Sequence, residues 1–186
     1  MTTSNNLPSP PGGEPAPGSK GGGGGEGKPH ATEPTLAFLL AHPAHFLAMG
    51  FGAGLSPKAP GTVGTLVGFP LFWLLTGSPL YWAWIALFLA VGVWACDVAG
   101  RALGVHDHGG LVWDEVAAFL MVLPFAPHTL AGYTLAFALF RLFDIWKPFP
   151  IGWLDARVPG GLGVMLDDVL AAIYAIGVLL GVARWM

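Results

Sequence analysis

The 186 residues are 54% hydrophobic and only 10% charged, with a formal net charge of −3. A water-soluble domain carries about 25% charged residues to cover its surface, so this composition points to a chain embedded in a membrane, ahead of a soluble helical bundle. The small net charge and the lack of any basic run give no footing for a nucleic-acid partner. The single cysteine, Cys96, excludes an internal disulfide framework and a CxxC metal site; in its apolar run it reads as a small buried hydrophobe.

Residues 1–35 are a different material from the rest. Pro, Gly, Ser and Asn dominate, with a pure glycine run at 21–25. Such a segment buries too little apolar surface to offset its ordering entropy, so 1–35 is expected as a disordered tail and 36–186 as one membrane-embedded helical domain. The tail lacks the basic start and apolar core of a secretory signal.

From Leu36 the chain turns apolar. Residues 35–49 read as an interfacial or docking helix, although Pro43 interrupts them, and 50–62 as a loop rich in Gly, Ser, Pro and Thr. Four or five membrane segments follow. Residues 63–75 and 111–123 are short, which leaves them tilted, re-entrant or shielded by neighbours. Residues 80–99 are long enough to cross, since about 20 residues at 1.5 Å each cover the hydrocarbon core. Residues 129–146 and 162–185 are near full length. The expected fold is all-α, a multi-helix integral membrane bundle.

The connections alternate in charge. Lys58 precedes the first segment, Arg101 follows the second, and Lys147 and Arg157 follow the fourth; the turns at 77–79 and 124–128 hold no Lys or Arg. Hairpins that return to their starting side place these cations together, on the cytoplasmic face, with Arg184 as the exception. The same topology gathers Asp114, Glu115, Asp144, Asp167 and Asp168 near the cytoplasmic helix ends. Ionisable groups in membrane segments are functional candidates by default. So many carboxylates repel one another without a cation, and an oxygen-rich site suits Mg²⁺ or Mn²⁺. The helix dipole accounts singly for acids at helix starts but not for Asp144 near a helix end.

Arg141, Asp144 and Lys147 are spaced three apart and are expected on one helix face. They read either as intrahelical ion pairs or as phosphate capture by an Arg fork and a Lys point charge. Lys58, with Thr62 and Thr65 after it, offers the same chemistry from the first loop, whose turns expose backbone N–H groups. His106, Asp107 and His108 place ligand-capable groups just before Asp114, and a histidine there can serve as acid or base.

Four stretches in this order carry a family resemblance: GAGLSPKAPGTVG at 52–64, VHDHGGLVWDE at 105–115, RLFDIWKPFP at 141–150 and GGLGVMLDD at 160–168. From about Pro43 onward the chain resembles phosphatidylglycerophosphatase A, a bacterial membrane phosphatase family of phospholipid synthesis; the tail lies outside the resemblance. The resemblance implies Mg²⁺-dependent hydrolysis of phosphatidylglycerophosphate to phosphatidylglycerol and phosphate at the cytoplasmic leaflet of the inner membrane, with no obligate protein partner.

On this reading Glu115, Asp144, Asp167 and Asp168 hold one or two Mg²⁺ ions. Lys58, Thr62, Arg141, Lys147 and His108 hold phosphate oxygens. Asp114 or His106 orients the water or protonates the leaving oxygen, and Asp168 and Glu115 count among the catalytic groups. An aspartyl-phosphate intermediate is the other chemical branch. The competing class is a small transporter or ion channel, which predicts acids spread through membrane depth.

Overall fold

A computed structural model describes residues 34–105 and 107–184. The expectation of a disordered tail falls on residues outside that set, as does His106. Among the described residues all regular structure is helical.

Two short helices replace the single one expected at 35–49. Helix α1 spans Leu36–Ala41 and is capped by the Thr35 hydroxyl, which accepts from the Phe38 N–H at 3.1 Å. His42 then goes extended and its ring caps α2, Pro43–Ala48, with Pro43 at the first helical position. A proline is harmless there, because its missing N–H has no intrahelical partner anyway. For the same reason α3 starts at Pro60, inside the expected loop, and runs Pro60–Leu75. The remaining helices are α4 (Tyr81–Leu103), α5 (Trp113–Val122), α6 (Leu130–Trp146), α7 (Ile151–Asp155) and α8 (Gly160–Ala183).

Helices α4 and α8 are long and apolar enough to cross a membrane by length and composition. Helix α5 is short because it is shielded: Val116, Ala117, Ala118, Phe119 and Leu120 are fully buried. Phe119 meets Phe69 of α3 edge-on at 5.2 Å and Phe140 of α6 at 5.5 Å. A helix buried on every side is expected to be apolar all round. The Trp113 indole ties the start of α5 to α4 by donating to the Phe88 carbonyl at 3.0 Å, and the Tyr81 hydroxyl ties its far end by donating to the Leu120 carbonyl at 2.6 Å.

Small residues set the spacing elsewhere. Ala95 and Ala99 of α4 are fully buried in one apolar cluster with Val164 and Met165 of α8. A Cβ on Gly161 would run into the Val93 carbonyl and lie 2.7 Å from the Asp97 amide nitrogen. Where lipid surrounds a bundle, close backbone approach of this kind takes over from hydrophobic burial as the adhesive. Outward faces stay apolar, with Trp73, Trp82, Leu87, Ile173 and Leu180 exposed.

Candidate functional site

The start of α3, the start of α5, the end of α6 and the first half of α8 meet at one end of the bundle, and the acids converge there. Ligand oxygens of Asp114, Glu115 and Asp168 all lie within 4.8 Å of one another. Asp144 joins them through Arg141, whose Nη1 reaches both Asp144 and Glu115. Asp114 and Asp168 are buried, and the side chains of Glu115 and Asp144 keep 12% and 13% of their surface.

Arg141 enters between the acids. Its Nη1 donates to Asp144 one turn on and lies 3.4 Å from Glu115 Oε1. Arg141 and Asp144 thus share a face as expected, and that face points into the carboxylate group. Lys147 does not share it. Helix α6 stops at Trp146 and Lys147 turns into the left-handed region, φ 44° and ψ 59°, just before Pro148. Proline crowds the residue before it out of the right-handed helix, so the break falls there. The turn carries the ammonium to Asp167 and to Asp155, which is 3.1 Å away. Burial works against the charge on Lys147, but the two carboxylates more than offset it and hold its pKa above the ordinary lysine value.

Asp167 and Asp168 sit eight and nine residues into α8, since that helix begins at Gly160. They are past the first turn, where the dipole favours acids, so their burial needs another cause. Buried Asp114 Oδ1, Glu115 Oε2, Asp168 Oδ2, Asp167 Oδ1 and Arg141 Nε have no hydrogen-bond partner within the protein. Buried polar atoms are almost always satisfied, and an unsatisfied set of this kind marks the place of a ligand. Three partnerless carboxylate oxygens from adjacent helices fit a hard divalent cation, which takes oxygen donors. The partnerless guanidinium nitrogen beside them fits an anion.

The remaining candidates lie on the segments that lead into or begin α3 and α5. Lys58 is exposed on the loop before α3, and Thr62 is half-buried in the first turn of α3. Gly61 touches the centre directly: a Cβ there would collide with Glu115 Oε1 and lie 3.1 Å from both Arg141 Nη atoms. His108 is half-buried, its Nδ1 accepting from the Gly110 N–H at 3.0 Å. That bond leaves the proton of the neutral ring on Nε2, free to donate. Cys96 is buried in α4, as expected.

Asp155 and Gly61 were not legible as site residues. Asp155 is eight positions from Lys147, across a connection that looks featureless until α7 folds it back. Gly61 carries no chemistry, so only the contact reveals it. Asp97 and Arg101 form an ion pair on α4, for which the i,i+4 spacing on a helix is the sequence signal.

The chain matches the phosphatidylglycerophosphatase A family over residues 46–183. It is 42% identical over 143 residues to phosphatidylglycerophosphatase A of Escherichia coli strain K12, a match covering 75% of this chain and 83% of the relative. It is 44% identical over 158 residues to phosphatidylglycerophosphatase A of Haemophilus influenzae, covering 82% of this chain and 96% of the relative. A Bacteroides thetaiotaomicron protein named as a candidate phosphatidylinositol-3-phosphatase is 39% identical over 150 residues, covering 75% of this chain and 92% of that one. No solved structure gives a significant match. With the family matched over most of its length, the chain belongs to the phosphatidylglycerophosphatase A family.

Proposed function

We propose that this protein is a Mg²⁺-dependent lipid phosphatase that hydrolyses phosphatidylglycerophosphate to phosphatidylglycerol and inorganic phosphate. The observation that carries the reading is the cluster of partnerless buried oxygens on Asp114, Glu115 and Asp168 beside Arg141. Family membership supplies the substrate class, from the names of the relatives.

Glu115 and Asp168 would hold Mg²⁺, with Asp144 and Asp167 beside them and Asp114 drawn into the same set by its position. When bound, the ion polarises the phosphoryl group and neutralises charge that builds on it. Arg141 spans the acids and the phosphate: its Nη1 holds Asp144 and Glu115 in place, and its Nε is free for a phosphoryl oxygen. Lys147, kept charged by Asp167 and Asp155, supplies a second cation, and Lys58, Thr62 and the His108 Nε2–H complete the phosphate contacts from the neighbouring loops. Water attacks phosphorus, the bond to the glycerol oxygen breaks, and that oxygen takes a proton. Asp114 or His106 orients the water or delivers the proton.

The bundle is proposed to place four to five segments in the bacterial inner membrane. Lys58, Arg101, Lys147 and Arg157 mark the cytoplasmic face, where the carboxylate centre meets the lipid head. The test is phosphate release from phosphatidylglycerophosphate by purified protein in detergent, with Mg²⁺ and with EDTA. Release with the metal and none with the chelator is expected. No release from folded protein with Mg²⁺ restored would refute the reading.

A further inference from the structure

One apolar groove remains outside the site. It has a volume of about 340 Å³ and is lined by Leu66, Phe69 and Trp73 of α3 and by Leu130, Tyr133 and Phe137 of α6. Its polar atoms are withdrawn: the Thr134 hydroxyl donates to the Leu130 carbonyl at 2.8 Å, and the Tyr133 hydroxyl pairs with His128 at 3.3 Å. Leu66, Trp73 and Leu130 are 48%, 61% and 85% exposed.

The groove lies along the two helices that also reach the candidate site. Gly61 of α3 abuts Arg141 of α6, Phe69 stacks on Phe137 at 6.5 Å, and Phe72 meets Tyr133 at 6.2 Å. The helices are therefore antiparallel, with the start of α3 and the end of α6 both at the carboxylate centre. Leu66 lies five residues beyond Gly61 and Phe137 four before Arg141, about 6–7.5 Å of helix rise. From there the groove continues over seven residues on each helix, Leu66 to Trp73 and Phe137 to Leu130, roughly 10 Å further. The groove thus leads away from Arg141 in the direction an apolar tail takes when its anionic head is held there.

The geometry points to the α3–α6 groove as the acyl-chain track of the lipid whose phosphate head occupies the carboxylate centre. The inference rests on the lipid-phosphatase reading and adds where the tail lies. Anchoring the chain there places the head at Arg141, so the groove contributes to turnover as well as to affinity. Remote binding energy of this kind is spent on positioning at the reacting centre, and a substrate lacking the remote part loses rate.

The experiment fills the groove from each wall. Thr134→Trp and Leu66→Trp are compared with the wild type and with Ile173→Trp, a control on an exposed apolar face of α8. Turnover is measured on dioleoyl and on dihexanoyl phosphatidylglycerophosphate in detergent. Both groove variants are expected to lose about tenfold on the dioleoyl substrate and less than about twofold on the dihexanoyl one, with the control unchanged on both. Equal loss on the two substrates, or undiminished dioleoyl turnover, would overturn the inference. A wild type that hydrolyses neither substrate would refute the phosphatase reading itself. The groove is then judged by a phosphatidylglycerophosphate analogue carrying a diazirine in mid-chain. Photolabelling confined to the groove residues of α3 and α6 supports the track, and labelling spread over all outward faces contradicts it.

Discussion

Gly61 has no side chain because the space its Cβ would fill belongs to Glu115 and Arg141. Both neighbours are the ends of flexible side chains, so Gly61→Ala is tolerated by the fold and felt by the site. The methyl pushes the Glu115 carboxylate off its position beside Asp114 and Asp168. A displacement of about 1 Å at a reacting centre costs on the order of a hundredfold in rate. Turnover of Gly61→Ala is expected to fall by about that factor with helix content by circular dichroism unchanged; near-normal turnover would mean that Glu115 is not part of the working site. Arg141 shows the converse. Its two nearest acids came from the sequence as a spacing of three along one helix and a separate pair of acids at the start of another, and only the fold puts one guanidinium against both.

At the scale of elements, Gly161 is the counterpart of Gly61. Its Cβ would strike the Val93 carbonyl and crowd the Asp97 amide, and backbone cannot swing aside. Gly161→Val is therefore expected to separate α4 from α8 and to destabilise the protein by about 1–3 kcal/mol, the usual cost of overpacking. A lowered melting temperature in detergent checks this, and an unchanged one would show that the two helices do not depend on that contact. The long helices were legible in the sequence because uninterrupted apolar length is a strong signal; the observed α4, α6 and α8 sit close to the expected segments. The convergence of Asp114, Glu115 and Asp168 was legible too, since each hairpin returns the chain to the same end. The helix break at Pro43, the early start of α3 at Pro60 and the fold-back of α7 were not. Proline at a first helical position and proline as a breaker are the same letter, and tertiary contacts choose between them. Burial decided the α5 question: thirteen or so apolar residues read alike whether they face lipid or four neighbouring helices.

Among the described residues of the bundle, charge gathers at one end, with Arg184 as the exception. Residues 62–96, 116–140 and 169–183 contain no Asp, Glu, Lys or Arg. A transporter or channel that works through intramembrane carboxylates needs acids through the depth of the bundle, and these stretches hold none. The arrangement suits a protein that works on a head group at the surface and leaves the tail in the apolar region, which is what the groove between α3 and α6 extends. The central claim is that the oxygens of Asp114, Glu115 and Asp168 form a divalent-cation site. Mn²⁺ titration followed by electron paramagnetic resonance reads this directly, without relying on turnover. Purified wild type is expected to bind Mn²⁺ saturably, with Mg²⁺ competing, and Asp168→Asn to lose at least about tenfold in affinity. Equal Mn²⁺ binding by wild type and Asp168→Asn, or no binding by folded wild type, would contradict it.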